Sequence, residues 1–178
     1  MERALNEIRV RPASEDDLET VLDVLGEAAL WVAARGFDNW PARFPSGFIV
    51  RSISAGHVHV VEISAQTVAT ISLQWDDPMF RGPMPPDAGY VHRLAVRTRE
   101  HVAGIGHALL DWAAEQVAGN GRQWLRLDIA ADNRPLRQYY ERAGFSHERD
   151  AHGEFTLLDG APKAWHTSLY QRRVIAHT

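Results

Sequence analysis

The stretch that decides the fold runs from residue 92 to residue 116 and reads HRLAVRTREHVAGIGHALLDWAAEQ. Its first residues complete a predicted strand over Tyr90–Val96, and a polar turn follows. Gly104 and Gly106 stand where an amphipathic helix begins, with apolar residues at helical spacing up to Val117. Glycine lets backbone N–H groups approach a ligand, and a helix N-terminus carries positive partial charge. The pattern indicates a site for phosphate or pyrophosphate, with a ligand-free turn as the alternative.

A dinucleotide-binding fingerprint is one competing interpretation of this turn. GIGHAL begins as Gly-x-Gly, and Asp128 lies about 20 residues further on, where a ribose-binding acid is expected. Leu109, however, occupies the position of the third glycine, where a bulky side chain blocks close packing of helix on strand. Residues Arg97–Ala103 also put too long a segment between the strand and the first glycine. We therefore disfavour this interpretation.

Outward from this stretch, hydrophobic periodicity predicts a single α/β domain over residues 1–178, because no repeat or interdomain linker interrupts it. The predicted order is β-α-α-β-β-β-α-β-α-β-β, a mixed sheet with helices covering it. Loops are expected over the proline-rich segment Asp76–Gly89 and over Asp150–Lys163. The predicted strands are residues 8–10, Val58–Ile63, Val68–Trp75, Tyr90–Val96, Trp124–Ile129, Phe145–Arg149 and Trp165–Gln171. The predicted helices are Leu18–Val32 after an N-cap at Ser14, Gly47–Ser54, Ile105–Val117, and Asn133–Arg142 with Gly144 as its stop.

Composition excludes several classes of protein. The chain has 178 residues and no cysteine, which rules out disulfides, thiolate metal ligands and a cysteine nucleophile. A net charge of -4 does not favour binding to nucleic acid, and no apolar run is long enough to span a membrane. The N-terminal residues lack the apolar stretch of a secretory signal, so we expect a cytoplasmic protein.

A second motif follows the predicted fifth strand and reads NRPLRQYYERAGF, from Asn133 to Phe145. With His101-Val-Ala-Gly104-Ile-Gly106, it resembles the GNAT superfamily of acyl-CoA-dependent N-acyltransferases. That family carries Arg/Gln-x-x-Gly-x-Gly/Ala before a helix, and Asn-x7-Tyr-x-x-x-Gly-Phe downstream. His101 and Val102 depart from the first pattern, which binds pyrophosphate mainly through backbone N–H groups. The two motifs stand in the family's order, and the resemblance covers roughly residues 8 to 172.

The resemblance implies a GNAT-like, largely antiparallel central sheet flanked by helices, and an acetyl-CoA-dependent N-acetyltransferase activity. Acetyl-CoA is the implied acyl donor, and no metal is expected. Its pantetheine would pair with the backbone of Leu94, Ala95 and Val96, and its pyrophosphate would meet the loop that opens the helix. The cofactor-binding residues implied in this way are Leu94, Ala95, Val96, His101, Val102, Ala103, Gly104, Ile105, Gly106, His107, Asn133 and Tyr140.

Acetyl transfer to an amine needs an acid for the departing thiolate and an amine without its extra proton. Tyr140, at the family's tyrosine position, is the expected acid, and Tyr139 is the alternative hydroxyl. His92 is the best candidate for the base, since a histidine with a pKa near 6.5 can accept a proton at neutral pH. Period-2 geometry places it on one face of the fourth strand with Tyr90, Leu94 and Val96. The substitutes for the base are Asp77, Asp87, Glu62 and bulk water, and a histidine packed into the sheet is the alternative for His92.

The acceptor is expected to be a small cationic amine, because the net charge is negative and Asp76-Asp77 precedes the fourth strand. Acetylation of a protein or peptide amino group and a silent acyl-CoA sensor are the alternatives, and a monomer or homodimer is expected. The family commonly builds its acceptor site from a variable region, so the resemblance implies that Phe37–Phe48 and Asp76–Asp87 set specificity. Aromatic residues here belong either to the core or to an acceptor pocket: Trp31, Phe37, Trp40 and Phe44. His57 and His59 form a possible metal pair, but without a third ligand a solvated strand face is favoured.

Overall fold

The computed structural model describes residues 8–37, 40–78, 87–98, 104–156 and 162–174. Seven strands and four α-helices lie in these ranges, preceded by a 3₁₀ turn at Glu15–Asp17. The strands are β1 Arg9–Pro12, β2 Val58–Ile63, β3 Gln66–Gln74, β4 Ala88–Val96, β5 Trp124–Ala130, β6 Ser146–Thr156 and β7 Pro162–Arg173. The helices are α1 Leu18–Ala33, α2 Ser46–Ser54, α3 Ile105–Gly119 and α4 Arg134–Arg142. The order agrees with the one predicted from the sequence.

Tertiary contacts divide the chain into two compact units. The first unit comprises Met1–Gln74 and Val91–Trp112, and the second comprises Trp75–Tyr90 and Ala113–Thr178. Strand β4 and helix α3 each contribute residues to both units.

In the first unit the strands follow the order β1-β2-β3-β4. β1 and β3 both pair antiparallel with β2. The β2–β3 hairpin closes through Ser64 and Ala65, whose φ angles are 50° and 63°. Left-handed conformation at both central residues is the geometry of a type I′ turn, which matches the twist of the strands that it joins. This turn therefore joins the two predicted strands, Val58–Ile63 and Val68–Trp75, into one hairpin.

The core of the first unit lies between helices α1 and α2 and the strands β2 and β4. Periodic apolar side chains give each helix one buried face, and burial of that face holds the helix on the sheet. Arg11 of strand β1 forms two ion pairs, with Asp17 at 2.8 Å and with Glu62 at 2.8 Å. The buried members of this core are Val21, Leu22, Val24, Leu25, Ile49, Ile53, Val58, Val60 and Ala95.

Strand β4 contains one residue in left-handed conformation, Arg93, with a φ of 48°. Side chains alternate between the faces of a strand only while the backbone stays extended, and a left-handed residue marks a local bulge-type distortion. The prediction that Tyr90, His92, Leu94 and Val96 share one face by strict alternation is therefore wrong, because the alternation is interrupted at Arg93. Such a conformation costs a non-glycine residue about 1–3 kcal/mol, and distortions of this kind concentrate at functional sites.

In the second unit the strands follow the order β4-β5-β7-β6, with β7 antiparallel to both β5 and β6. Asp150–Lys163 was expected to be irregular, and this is wrong for Asp150–Thr156 and for Pro162 and Lys163, which extend the β6–β7 hairpin. Residues 157–161 lie outside the described ranges. The physical reason is visible at Gly153, where an added Cβ would stand 2.6 Å from the indole ring of Trp165. The aromatic ring covers the glycine and so compensates for its missing side chain.

Helix α4 has the ends that the sequence predicts. Asn133 caps it, since its side-chain oxygen accepts a hydrogen bond from the backbone N–H of Leu136 at 3.1 Å. Pro135 lies in its first turn, where the absence of a backbone N–H removes no hydrogen bond from the helix. Gly144 follows the helix with a φ of 85°, a conformation that glycine adopts without strain. None of the helices in the described ranges is both long enough and apolar enough to cross a membrane.

Candidate active site

The glycine turn of the first unit has the geometry of an anion-binding helix start. Gly104 has a φ of 91°, and α3 begins at the next residue with the N–H of Ala108 donating to the carbonyl of Gly104 at 3.0 Å. Ile105 is buried and anchors the first turn, while Gly106 and His107 are partly exposed. The first N–H groups of a helix have no partner within it and suit phosphate oxygens. His101, Val102 and Ala103 lie outside the described residues.

The end of strand β4 carries the residues that are predicted to contact pantetheine. Ala95 is buried, whereas Leu94 and Val96 are partly exposed. Arg97 ties down the strand end, because its N–H donates to the carbonyl of Val68 at 2.8 Å and its Nε to that of Thr67 at 3.0 Å. The backbone of β4 is therefore held in a fixed position up to the polar turn.

Glu27 of α1 is a charged residue that the sequence reasoning missed. Its Oε1 pairs with the guanidinium of Arg97. Its Oε2 is buried, and no group among the described residues donates a hydrogen bond to it. The only signal in the sequence is an acidic residue between the buried Leu25 and Ala29 of an amphipathic helix. This carboxylate gives the first unit an acceptor oxygen that a polar ligand could use.

His92, the predicted base, lies in β4 directly before the left-handed Arg93 and is half-buried. The guanidinium of Arg93 covers the ring of Phe48, 4.9 Å from its centroid. The Arg93 side chain therefore lies against α2. His92, the expected base, is the residue directly before it in β4. His92 as the base stays a prediction.

Tyr140 and Asn133, the two predicted residues of the Asn-x7-Tyr motif, belong to the second unit. Tyr140 is buried on α4, and its ring packs edge-on against Tyr139 at 5.2 Å and Phe145 at 5.7 Å between centroids. Burial raises the pKa of the Tyr140 phenol above its ordinary value of 10.0, and the charges of Tyr139 and Asp128 raise it further. The phenol is thus protonated at neutral pH, as a proton donor must be. Asn133 uses its side-chain oxygen as the helix cap, and its contact with the cofactor stays a prediction.

A pair of carboxylates in the second unit was not predicted as a pair. The oxygens of Asp77 and Asp128 lie within 4.8 Å of each other, and Asp77 is only 6% exposed. Thr167 donates a hydrogen bond to Asp128 at 3.1 Å. From the sequence alone, Asp128 is only a possible ribose-binding acid and Asp77 only a substitute base. Their pairing depends on the position of β5, which local sequence patterns do not specify.

Two of the substitute bases are already engaged in ion pairs. Glu62 pairs with Arg11, and Asp87 pairs with the buried Arg126 at 3.3 Å. Each of these carboxylates therefore already has a cationic partner. Asp77, the third carboxylate of the predicted set, lies beside the carboxylate of Asp128.

The aromatic residues predicted to belong either to the core or to an acceptor pocket divide into two groups. Trp40 and Phe44 pack edge-on with centroids 5.5 Å apart and lie against the first unit's core. Trp31 is 47% exposed, and the guanidinium of Arg35 stacks 3.5 Å from its ring centroid. The core interpretation therefore suits Trp40 and Phe44, while Trp31 presents an aromatic surface to solvent.

Comparison with known proteins agrees with this arrangement. The model of the Acetyltransferase (GNAT) family matches residues 25–145. The uncharacterized N-acetyltransferase YesJ of Bacillus subtilis is 30% identical over 142 residues, which is 75% of this chain and 79% of YesJ. An acetyltransferase of the GNAT family from Listeria monocytogenes superposes with a TM-score of 0.72 at 21% identity, covering 93% of this chain and 94% of the other. YncA from Salmonella typhimurium, solved with its cofactor acetyl-CoA, gives a TM-score of 0.65 at 17% identity over 97% of each chain.

These findings define the class of protein as an acetyl-CoA-dependent N-acetyltransferase with the mixed, mostly antiparallel GNAT fold. The chain belongs to the Acetyltransferase (GNAT) family. Acetyl-CoA is its acyl donor. The described part of the glycine turn, with its left-handed Gly104 at a helix start, fits the pyrophosphate of that donor.

Proposed function

We propose that this enzyme transfers the acetyl group of acetyl-CoA directly to the primary amine of a small cationic molecule. The choice of acceptor rests on one observation in the second unit. Asp77 and Asp128 form a close pair of carboxylates, and Asp77 is almost fully buried. Two carboxylates this close repel each other, and a bound cation relieves that repulsion. An acceptor with more than one positive charge would keep one charge at this pair while another amino group reacts.

The donor is held mainly by backbone groups in this proposal. N–H groups at the start of α3, from Ile105 to His107, bind the pyrophosphate, with His101, Val102 and Ala103 completing the turn. The backbone of Leu94–Val96 pairs with pantetheine, and Asn133 and Tyr140 complete the donor site. When bound, acetyl-CoA supplies an activated acyl group with a thiolate leaving group.

The proton movements are assigned to two side chains. An alkylammonium group has no lone pair, so the amine must lose its proton before it attacks the carbonyl carbon. His92 accepts that proton, directly or through water. The phenol of Tyr140 gives a proton to the sulfur as the bond between carbon and sulfur breaks. Burial raises the pKa of the phenol and so makes it a weaker acid, and the transfer therefore depends on the sulfur being held next to the Tyr140 hydroxyl in the bound complex.

A panel of amines tests the acceptor class, with the free thiol of coenzyme A as the measured product. We expect polyamines, aminoglycosides or amino acid derivatives with an extra positive charge to react faster than neutral amines. Asp128→Asn should raise the KM for the cationic acceptor at least about tenfold, since it removes a charge-assisted contact. The KM for acetyl-CoA should not change. Asp132→Asn, a change on an exposed neighbouring turn, is the matched control.

The same panel should include peptides with free N-termini. If these peptides are acetylated far better than every small amine, the small-molecule acceptor is wrong and a protein or peptide amino group takes its place. An unchanged acceptor KM in a folded Asp128→Asn variant would remove the carboxylate pair from the acceptor site.

A further inference from the structure

Arg122 lies in the second unit, in the short connection between the end of helix α3 and the start of strand β5. Gly121, directly before it, has a left-handed φ of 69°. The N–H of Gly121 donates to the carbonyl of Ala118 at 2.9 Å, and the N–H of Arg122 donates to the carbonyl of Val117 at 3.1 Å. This pair of hydrogen bonds is a Schellman motif, which closes the end of the helix and fixes the backbone of Arg122.

The guanidinium of Arg122 joins the two ends of the segment Asp76–Asp87. Its Nη1 atom donates to the carbonyl of Trp75 at 2.7 Å and to the carbonyl of Ala88 at 2.5 Å. Its Cζ atom also lies 5.2 Å from the ring centroid of Trp75. Hydrogen bonds from a charged donor are stronger than those between neutral groups. One side chain therefore holds both the residue before this segment and the residue after it.

The start of β5 fixes the second end of the segment as well. The N–H groups of Gln123 and Trp124 both donate to the carbonyl of Asp87, at 2.8 and 3.2 Å. The carboxylate of Asp87 pairs with the buried guanidinium of Arg126 at 3.3 Å. This end is therefore anchored through its backbone and its side chain.

The first end of the segment carries Asp77, one of the two carboxylates assigned to the acceptor. Asp77 stands two positions after Trp75, and its carboxylate lies within 4.8 Å of that of Asp128 on β5. Because Asp77 is buried next to a backbone that Arg122 holds, its carboxylate moves only if that backbone moves. The distance between the two carboxylates thus depends on the hydrogen bond from Arg122 to Trp75.

We propose that Arg122 is a positioning residue of the acceptor site. It holds the two ends of the Asp76–Asp87 segment together and so sets the position of the Asp77 carboxylate beside Asp128. This inference rests on the proposed function, in which the two carboxylates bind the positive charge of the acceptor. Arg122 acts through the backbone of the segment and not through a contact with either substrate.

Initial-rate kinetics with the best acceptor of the amine panel tests this role. Arg122→Met keeps an apolar stem and removes the donors that hold the two carbonyls. We expect the KM for the acceptor to rise about tenfold or more, since a misplacement of about 1 Å can cost about 10²-fold. The KM for acetyl-CoA should stay at its wild-type value. Arg173→Met, a change of an exposed arginine on β7 in the same unit, is the matched control and should alter neither KM.

A double-mutant cycle separates positioning from a general effect on the fold. Asp77→Asn alone should raise the acceptor KM. Adding Arg122→Met to it should raise that KM little further, because residues that act through one contact give non-additive effects. Should Arg122→Met not fold, Arg122→Gln replaces it, because its shorter side chain keeps a polar group but cannot reach both carbonyls.

Trypsin provides a readout besides activity. Arg81 is the one trypsin site that the sequence contains between Asp76 and Asp87. Cleavage there should be several-fold faster in Arg122→Met than in the wild type or Arg173→Met, because the ends of the segment separate more often.

The inference is wrong if a folded Arg122→Met variant keeps the wild-type acceptor KM or the wild-type rate of cleavage at Arg81. It is equally wrong if the KM values for both substrates rise by the same factor, or if the effects of Arg122→Met and Asp77→Asn on the acceptor KM multiply in full. Failure of the proposed acceptor site looks different, because Asp77→Asn by itself would then leave the acceptor KM unchanged.

Discussion

The imidazole of His59 on β2 packs edge-on against the indole of Trp112 on α3, with ring centroids 4.9 Å apart. Burial against this neighbour lowers the pKa of His59 below its ordinary value of 6.5, and the nearby His57 lowers it further, against an opposing backbone hydrogen bond. The solvated strand face predicted for this position is therefore wrong for His59, because its ring packs against Trp112. Its imidazole serves instead as a neutral packing element of the first unit.

Stability should depend on pH through this histidine. In the unfolded chain His59 takes up a proton near pH 6.5, whereas the folded protein resists protonation until a lower pH. The unfolded state thus binds more protons between these two pKa values, and the free energy of unfolding should fall as the pH drops from 7 through that window. Urea titrations at pH 7.5, 6.5 and 5.5 measure the slope. His59→Gln should reduce it and His57→Gln should keep most of it, and equal slopes in wild type and His59→Gln would contradict this account.

The left-handed Gly104 should be needed for donor binding. An alanine there pays about 1–2 kcal/mol for its left-handed conformation, or the turn changes shape. We expect Gly104→Ala to raise the KM for acetyl-CoA, measured by initial rates, before it unfolds the protein. Gly119→Ala at the other end of α3, where φ is not left-handed and a Cβ meets open space, is the matched control. It should leave this KM unchanged and add up to about 1 kcal/mol of stability. An unaltered acetyl-CoA KM in a folded Gly104→Ala variant would count against the assigned site.

Removing the phenol of Tyr140 should slow acetyl transfer. Tyr140→Phe keeps the ring packed against Phe145 but lacks the proton donor. We expect kcat to fall by about 10² or more while the KM for acetyl-CoA stays near its wild-type value. Tyr139→Phe, a change on the adjacent side chain about 100° around the helix, should be much milder. Full activity of Tyr140→Phe, with product release shown not to limit the rate, would remove the acid assignment.

His92→Ala should change the pH profile of the reaction. If His92 accepts the proton of the amine, its loss should lower activity most at pH values where the imidazole is normally neutral. The rise of kcat/KM with pH on the acidic side of the profile should also become flatter. A more basic medium should partly restore this variant, because it deprotonates the amine directly. The same medium should not restore Tyr140→Phe. An acidic limb that is identical in wild type and His92→Ala would show that another group, such as water, takes the proton.

Local patterns in the sequence predict the helices and the glycine turn well. The bounds of α3 and α4 follow from the 3.6-residue period, the cap at Asn133 and the stop at Gly144, and all of these are interactions between residues close in the chain. The two motifs that point to acetyl-CoA are local as well. Each motif lies in a short segment, and its chemistry can be inferred without knowledge of how the strands pair.

The features that escaped prediction depend on residues far apart in the chain. The pairing of Asp77 with Asp128 requires the position of β5. The left-handed conformation of Arg93 has no glycine or asparagine to mark it, and its guanidinium contacts Phe48, 45 positions earlier. The length of the β6–β7 hairpin was missed because Gly153 suggests a break when its partner strand is unknown. Register between strands therefore limits what the sequence alone can predict here.

The indole of Trp165 resting on Gly153 has a consequence for how this hairpin can change during evolution. Any side chain at position 153 would meet the ring at less than 3.0 Å, so a larger residue there requires a smaller one at position 165. Among relatives that keep this hairpin register, we expect a large aromatic residue at the second position only where the first is glycine. A relative that carries a side chain at position 153 and keeps tryptophan at position 165 would identify a hairpin with a different register, whereas loss of the tryptophan alone creates no clash.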